Sequence, residues 1–579
     1  EGRWEAELAP EGSGGPYTLE IREPVIPEPG RLIPEPLIIK DVWVGDVWLC
    51  AGQSNMELPM ERLKDEYPEE WNPQINSRIR QFKVPQEWDF REPRGEYGRG
   101  CWQAAAPETL AAFAGTAWFF ARALYEKYRL PIGLISTAMG GTPIEAWMSA
   151  GALKDFPHKV ERGRLFAGGE YRRTMLETST TQVNAWYDTV QREDRGLQEQ
   201  WYLPETDDSD WGELSLPGSF SKIPDDFCGV IWFRTRVHLS AAFAGTKARI
   251  WLGTIVDADT VYINGRELGS ITYRYPPRKY SLPAGLLREG ENHISIRVLC
   301  CRGGGQITPD KPFRIFNDRE TVELAGTWHY KIGFSTCPCP EPFFIQREPT
   351  GLYNAMIAPL IRFPIKGVIW YQGESNTDTD ECTQDYAAHF TALIRDWREG
   401  RGNIPFLFVQ LPLFGEGGEN TEQSRWARIR EAQAAALSLP ATGMAVALDL
   451  GEWNDLHPLN KKDLAGRLAL AAQAVAYGET NSAPGPLFRD IRREGDRLIL
   501  SFGNCGAGLV AKKDIYVTVC AGERSFRLQA VIRGNDSLVV NVPGIQSPDT
   551  VLYAWADNPQ DRWLYNSDDL PAAPFKALL

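Results

Sequence analysis

Four short stretches carry the side chains that acyl transfer needs. The first is Gly52-Gln53-Ser54-Asn55-Met56, where a serine follows directly on an apolar run, Val47-Trp48-Leu49-Cys50-Ala51. The second is the pair Gly140-Gly141, whose backbone N–H groups no side chain screens. The third and fourth are Gly373-Glu374-Ser375-Asn376 and Asn454-Asp455-Leu456-His457. Acyl transfer takes a nucleophile, a base within hydrogen-bond reach and donors aimed at the developing oxyanion. Ser54 is the candidate nucleophile, and His457, one of six histidines, the candidate base. The N–H of Ser54, a backbone N–H at Gly140 or Gly141 and the Asn376 side chain are the candidate oxyanion donors. Gln53, Gln372 and Glu374 lie in the same motifs and are candidate substrate-binding residues. Asp455 is the first choice for the acid that fixes the imidazole tautomer. Glu452, Asp449 and Glu374 are alternatives, as is a Ser–His dyad steadied by a carbonyl.

Each stretch taken singly has an ordinary reading: a capping serine, a loop hinge, a turn-forming Asn, a helix-start His. What joins them is the pattern of elements behind them. Val47–Ala51, Ile132–Ser136, Gly367–Tyr371, Phe406–Gln410 and Met444–Leu448 are short apolar runs that predict buried strands of one parallel sheet. Helices are predicted between them, over Phe113–Tyr128, around Tyr386–Trp397, over Trp426–Leu437 and over Lys461–Ala476. All four stretches then fall at or just beyond strand ends, the edge at which open α/β sheets bind ligands. Between about 200 and 316 the pattern changes to short alternating runs with an Asn264-Gly265 turn signal, which predicts an all-β insertion. From about Pro484 the chain again reads as β.

At 579 residues the chain is too long for one core and predicts three or four domains. A formal net charge of −14, with no dense basic run, excludes a nucleic-acid partner. No run is apolar for the length of a membrane span. The start, Glu1-Gly2-Arg3-Trp4, has no Met and no apolar leader, which says little about the compartment; a secreted or periplasmic location is expected. The ten Cys form no disulfide framework and, with the His, no zinc spacing. Asp378-Thr379-Asp380-Glu381 lacks the spacing of a calcium loop and reads as a solvated helix start. No metal and no cofactor is expected.

The order Ser, Gly, Asn, Asp, His resembles the SGNH (GDSL-like) hydrolases and, more closely, the sialate O-acetylesterase family of carbohydrate acetylesterases. The likeness rests on Asp46–Met56, Gly140–Trp147, Leu352–Leu360, Trp370–Asn376, Asp455–Pro458 and Tyr553–Pro559, with Leu570-Pro571 and Pro574-Phe575, and so spans nearly the whole chain. It implies a flavodoxin-like α/β domain and a Ser–His mechanism with an acetyl-enzyme intermediate. It also implies acetylated oligosaccharides or polysaccharides, of plant or sialate type, as substrates. In the superfamily the acid stands three residues before the His, where this chain has Asn454. The run Asp257–Gly265 resembles the galactose-binding-like jelly rolls of glycosidases, either as a sugar binder or as one wall of the cleft. The expected architecture is therefore an N-terminal β segment (1–39), a hydrolase domain in two parts (40–190 and 336–482), an inserted jelly roll (191–335) and a C-terminal β domain (483–579).

Overall fold

The computed structural model describes residues 12–22, 35–72, 76–480 and 484–579. The chain start and the boundary expected at 482–483 lie outside the described residues. The chain forms two compact units: 1–168, 346–453 and 457–579 make one, and 169–345 with 454–456 make the other.

The first unit is built on seven strands: β1 (Asp46–Gly52), β2 (Ile79–Lys83), β3 (Trp102–Ala104), β4 (Ile132–Ala138), β5 (Gly367–Tyr371), β6 (Phe406–Gln410) and β7 (Thr442–Val446). Their order is β7-β6-β5-β1-β4-β2-β3, parallel throughout except for the β2–β3 edge pair. Every residue of β5 and β6 is buried. That is why both read as near-continuous apolar runs rather than alternating ones, with Gln410 at the end of β6 the polar exception. The helices are α1 (Ser54–Glu57), α2 (Gly115–Tyr128), α3 (Pro157–Ala167), α4 (Asp380–Arg398), α5 (Arg425–Ala435) and α6 (Lys461–Ala476). In α4 the spaced apolar residues Tyr386, Phe390, Leu393 and Trp397 are all buried. The Thr379 hydroxyl caps its start by accepting from the Cys382 N–H at 3.2 Å. The helix start expected around Asp380 is thus the one observed.

Chain order decides where the site falls. β1 lies in the middle, with β4 on one side and β5 on the other. The connection leaving β1 runs to one side of the sheet and the one leaving β5 to the other, so a crevice opens at their carboxyl ends. Ser54 is the second residue after the end of β1.

The same unit carries a seven-stranded antiparallel sheet from Leu487 to Leu578. Arg430 of α5, fully buried, fastens this part to the α/β part. Its guanidinium donates to Leu411 O and Pro412 O on one side and to Ala556 O and Asp557 O on the other, at 2.6–2.9 Å.

The second unit has a six-stranded and a four-stranded antiparallel sheet closing over one core that includes Ile231, Phe233, Ile250, Ile296, Ile315 and Trp328. Asn264 and Gly265, at φ of 50° and 80°, make the predicted hairpin turn between Ala258–Ile263 and Arg266–Ile271. A 25-residue helix, Gly169–Glu193, puts Trp186 and Val190 against Trp232 and Tyr262 on the larger sheet's other face. Both faces of that sheet's central strands are therefore covered, and Ile294–Leu299 is buried without alternation. All ten cysteines are free thiols.

Candidate active site

The turn that holds Ser54 is backbone work. Gly52 has φ +141°, and a Cβ there would stand 2.1 Å from Tyr371 O, so only glycine fits. The Gln53 N–H donates to Tyr371 O at 3.0 Å, and the Met139 N–H to Gly52 O at 3.1 Å. Strands β5 and β4 thereby fix both sides of the serine. Ser54 opens α1, with the Leu58 N–H donating to its carbonyl at 2.8 Å. Its side chain is half-buried, whereas Asn55 and Met56 beside it have no exposure.

The glycine pair comes up against this turn. A Cβ on Gly140 would lie 3.5 Å from Ser54 Cβ, so the two backbones pass at van der Waals range. The Gly140 N–H donates to Glu57 Oε2 at 2.7 Å. Glu57 is held in turn by Gln86 Nε2, at 2.7 Å. Gly141, at φ +71°, is exposed, with nothing within 4 Å of where its Cβ would be. Of the two glycines, it is the one with open space beside it.

Asn376 is fully buried and tied inward. Its Oδ1 accepts from the Ile144 N–H (2.9 Å) and from Gln372 Nε2 (2.7 Å), and its Nδ2 donates to Glu145 Oε2 (3.1 Å). In this arrangement it locks the turn after Gly141. Gln372 Oε1 accepts from the Tyr386 hydroxyl at 2.9 Å. Gln53 Oε1 receives the N–H groups of Ser375 (3.2 Å) and Gly373 (3.4 Å), which ties the first motif to the third.

His457 is 7 % exposed. Burial pushes its imidazole down to about 3, and the cations of Lys461 and Arg62 push the same way. Lys461, one helical turn further on, is completely buried, and its Nζ donates to Asn55 Oδ1 at 2.7 Å. Asn55 Nδ2 donates to Glu374 Oε1 at 2.6 Å. Burial raises the Glu374 carboxyl, against the pull of Asn55 and Lys461. A chain Lys461–Asn55–Glu374 thus runs from the helix after His457 to the residue after Ser54. Sequence reasoning did not single out Lys461 or Asn55. The signal available was a lysine four residues past the candidate base.

The candidate carboxylates close to His457 in the chain differ in their partners. Asp455 Oδ2 accepts from Lys311 Nζ at 3.0 Å, and its neighbour Asn454 donates to Pro309 O at 2.8 Å. Glu452 Oε1 accepts from the Leu459 N–H at 2.9 Å and so buttresses the loop. Asp449 is taken by Arg467, through two bonds of 2.6 and 2.8 Å, and by Tyr565.

Arg347 was also absent from the expected set. Its Nη1 donates to Gly141 O at 3.1 Å and its other nitrogen pairs with Asp378. A guanidinium thus stands directly behind the open glycine. Among the described residues, His158 on α3 with Glu381 and Asp385 on α4 bring three possible metal-ligand atoms within 4.8 Å of one another. These residues are far apart in the chain, so no spacing rule finds them.

Comparison with known proteins gives this geometry its class. Residues 44–176 and 344–473 match the family described as carbohydrate esterase, sialic acid-specific acetylesterase. The rat sialate O-acetylesterase is 24 % identical over 99 % of this chain and 84 % of its own length; the human one is 24 % identical over 100 % and 82 %. A carbohydrate acetylesterase from Xanthomonas citri of known crystal structure superposes with a TM-score of 0.61 at 27 % identity, over 99 % of this chain and 88 % of that one. The protein is a carboxylic ester hydrolase. More narrowly, the chain is similar to the sialic acid-specific acetylesterase family of carbohydrate esterases, and most of both matched segments lies in the unit that carries Ser54 and His457.

The buried cation gives a first expected outcome. Lys461→Met removes one of the groups that hold His457 neutral, so the acidic limb of the kcat/KM profile moves up, by about one pH unit, toward the ordinary value near 6.5. Glu374, left without its counter-charge, takes up a proton more readily. A limb that stays in place while the variant remains folded shows that Lys461 does not act on the base. The depressed imidazole also has a stability sign. Below about 6.5 the unfolded chain binds a proton that the folded ring refuses until about 3, so this contribution to stability is lost as pH falls through that window.

Proposed function

We propose that the protein removes O-acetyl groups from carbohydrates through an acetyl-enzyme on Ser54. His457 takes the serine proton and returns it to the leaving sugar hydroxyl. Asp455 orients the imidazole, and water drawn in by the same base releases acetate. The N–H groups of Ser54 and Gly141 are the first-choice oxyanion donors, because the Gly140 N–H already has Glu57 as acceptor and Asn376 is fully buried, with one amide N–H on Glu145. Asn376, Gln372 and Gln53 hold the turns in register, and Glu374 acts through Asn55.

The observation that carries this reading is Ser54 standing at the switch point beyond β1, with the Gly140 backbone against its Cβ. Neutral acetylated glycans are the first substrate class, since a chain of net charge −14 draws no anion from a distance. Acetylated sialate is a second, favoured by Arg347 at Gly141 O, a local cation that a sugar carboxylate would meet. We place the protein outside the cytoplasm, where such glycans are found.

The test is acetate release from acetylated xylo-oligosaccharides, xyloglucan fragments and sialosides, run with and without a strong chelator. Release from at least one of these is expected, at the same rate in both arms, because serine and histidine supply the nucleophile and base. Hydrolysis of aryl acetates alone counts against the carbohydrate reading. Activity lost to the chelator and restored by a divalent ion counts against the mechanism.

A further inference from the structure

We propose that a hollow beside the catalytic turn is a second sugar subsite, which takes a neutral pyranose unit of the chain that bears the acetyl group. The inference rests on the carbohydrate reading above. The hollow measures about 610 Å³, within the range of small-ligand pockets. Thr377, next after Asn376, forms one edge of it, and Phe414 and Trp426 contribute rings 5.6 Å apart and tilted by 33°. Apolar ring surface beside convergent polar groups suits a pyranose, which has an apolar C–H face and a rim of hydroxyls.

The polar groups are matched for hydroxyls rather than for a charge. Arg425 and Arg428 share Asp380, at 3.0–3.1 Å, and the Ser424 hydroxyl donates to Asp557 at 2.6 Å. Each pair keeps spare donors and lone pairs that a hydroxyl, donor and acceptor at once, can use. Two arginines face three carboxylates here, counting Glu422, so no excess cation is left to select an acid sugar.

The hollow is also wired to the reaction centre. Arg425 Nη1 donates to Asp378 O at 2.8 Å, and the Asp378 carboxylate pairs with Arg347, which donates to Gly141 O. From Gly141 the backbone leads to Gly140, against Ser54 Cβ. A glycan acetylated on one unit and extended by others can follow this strip. Binding energy from the remote unit would then be available to the reaction at the first.

Gln423 also lines the hollow, and the test compares wild type with Gln423→Ala/Arg428→Ala, and with Gln423→Ala alone should the pair misfold. Calorimetry with unacetylated xylotetraose reads the subsite directly. Acetate release from acetylated xylotetraose and acetylated xylose gives a ratio of kcat/KM values within each variant, in which any general loss of activity cancels. We expect wild type to favour the tetrasaccharide by about tenfold or more, the ratio to fall to roughly 1–3 in the double variant, and xylotetraose affinity to drop by about tenfold. Equal ratios in wild type and variant, with acetate released throughout, overturn the subsite and leave the carbohydrate esterase reading standing. Xylotetraose binding that the variant loses, without acetate release from any sugar, keeps the subsite and overturns the esterase reading. Wild-type binding of tetragalacturonate in preference to xylotetraose overturns the neutral-sugar assignment.

Discussion

Ser54→Ala leaves the fold in place and lowers acetate release by about four orders of magnitude, the scale of losing a triad nucleophile. The fold survives because the hydroxyl does not build the turn. Gly52 supplies its backbone shape, Tyr371 O receives the Gln53 N–H, and the Ser54 carbonyl closes α1 through Leu58. Alanine keeps all of these. What it removes is the atom proposed to attack, and the oxyanion donors cannot replace a nucleophile. Some acceleration over water should persist, because the donors and the sugar contacts remain. Melting temperature and circular dichroism check the fold, and single-turnover assays check the rate. A variant within tenfold of wild type, with its fold intact, removes Ser54 from the mechanism.

The sequence made the catalytic strands legible because a parallel sheet buries both faces. Val47–Ala51, Gly367–Tyr371 and Phe406–Val409 had to be apolar throughout, and three strands observed there match these runs closely. Helix α6 was equally plain, from Lys461 to Ala476. The long helix Gly169–Glu193 was not. It buries few side chains, Trp186 and Val190 among them, so most of its length carries no apolar stripe for periodicity to find. The Asn264-Gly265 turn could be read locally because two successive positive φ angles demand those residue types.

Within the site, residue types that announce chemistry were visible and the residues that hold them were not. Ser54 and His457 stand out by type and context. Lys461 looks like any helix-start lysine until its burial and its bond to Asn55 are known. Asn376 shows the opposite effect. Its type suggested an oxyanion donor, yet its amide meets Ile144 and Glu145, from a distant part of the chain that no local pattern predicts, and Gln372 four residues before it. Side-chain identity reports what a group can do; only the fold reports which partner it already has.

The acid of the proposed triad gives the second large effect. Asp455→Asn is expected to lower kcat by about 10²–10⁴-fold, since an amide favours the wrong imidazole tautomer and leaves the imidazolium unstabilised. The acidic limb should move down, because a carboxylate beside an imidazole favours its charged form. That is opposite to the shift expected for Lys461→Met. The ion pair with Lys311 supplies the control. Lys311→Met breaks the same pair but keeps the carboxylate, so it should cost far less turnover than Asp455→Asn if Asp455 acts on His457. Equal losses would mean that the ion pair merely shapes the loop. Glu452→Gln tests the neighbouring candidate; with its Oε1 engaged by the Leu459 N–H, its turnover should stay within about tenfold of wild type. A silent Asp455→Asn beside an inactive, folded Glu452→Gln would transfer the acid's role to Glu452 and leave Ser54 and His457 where they are.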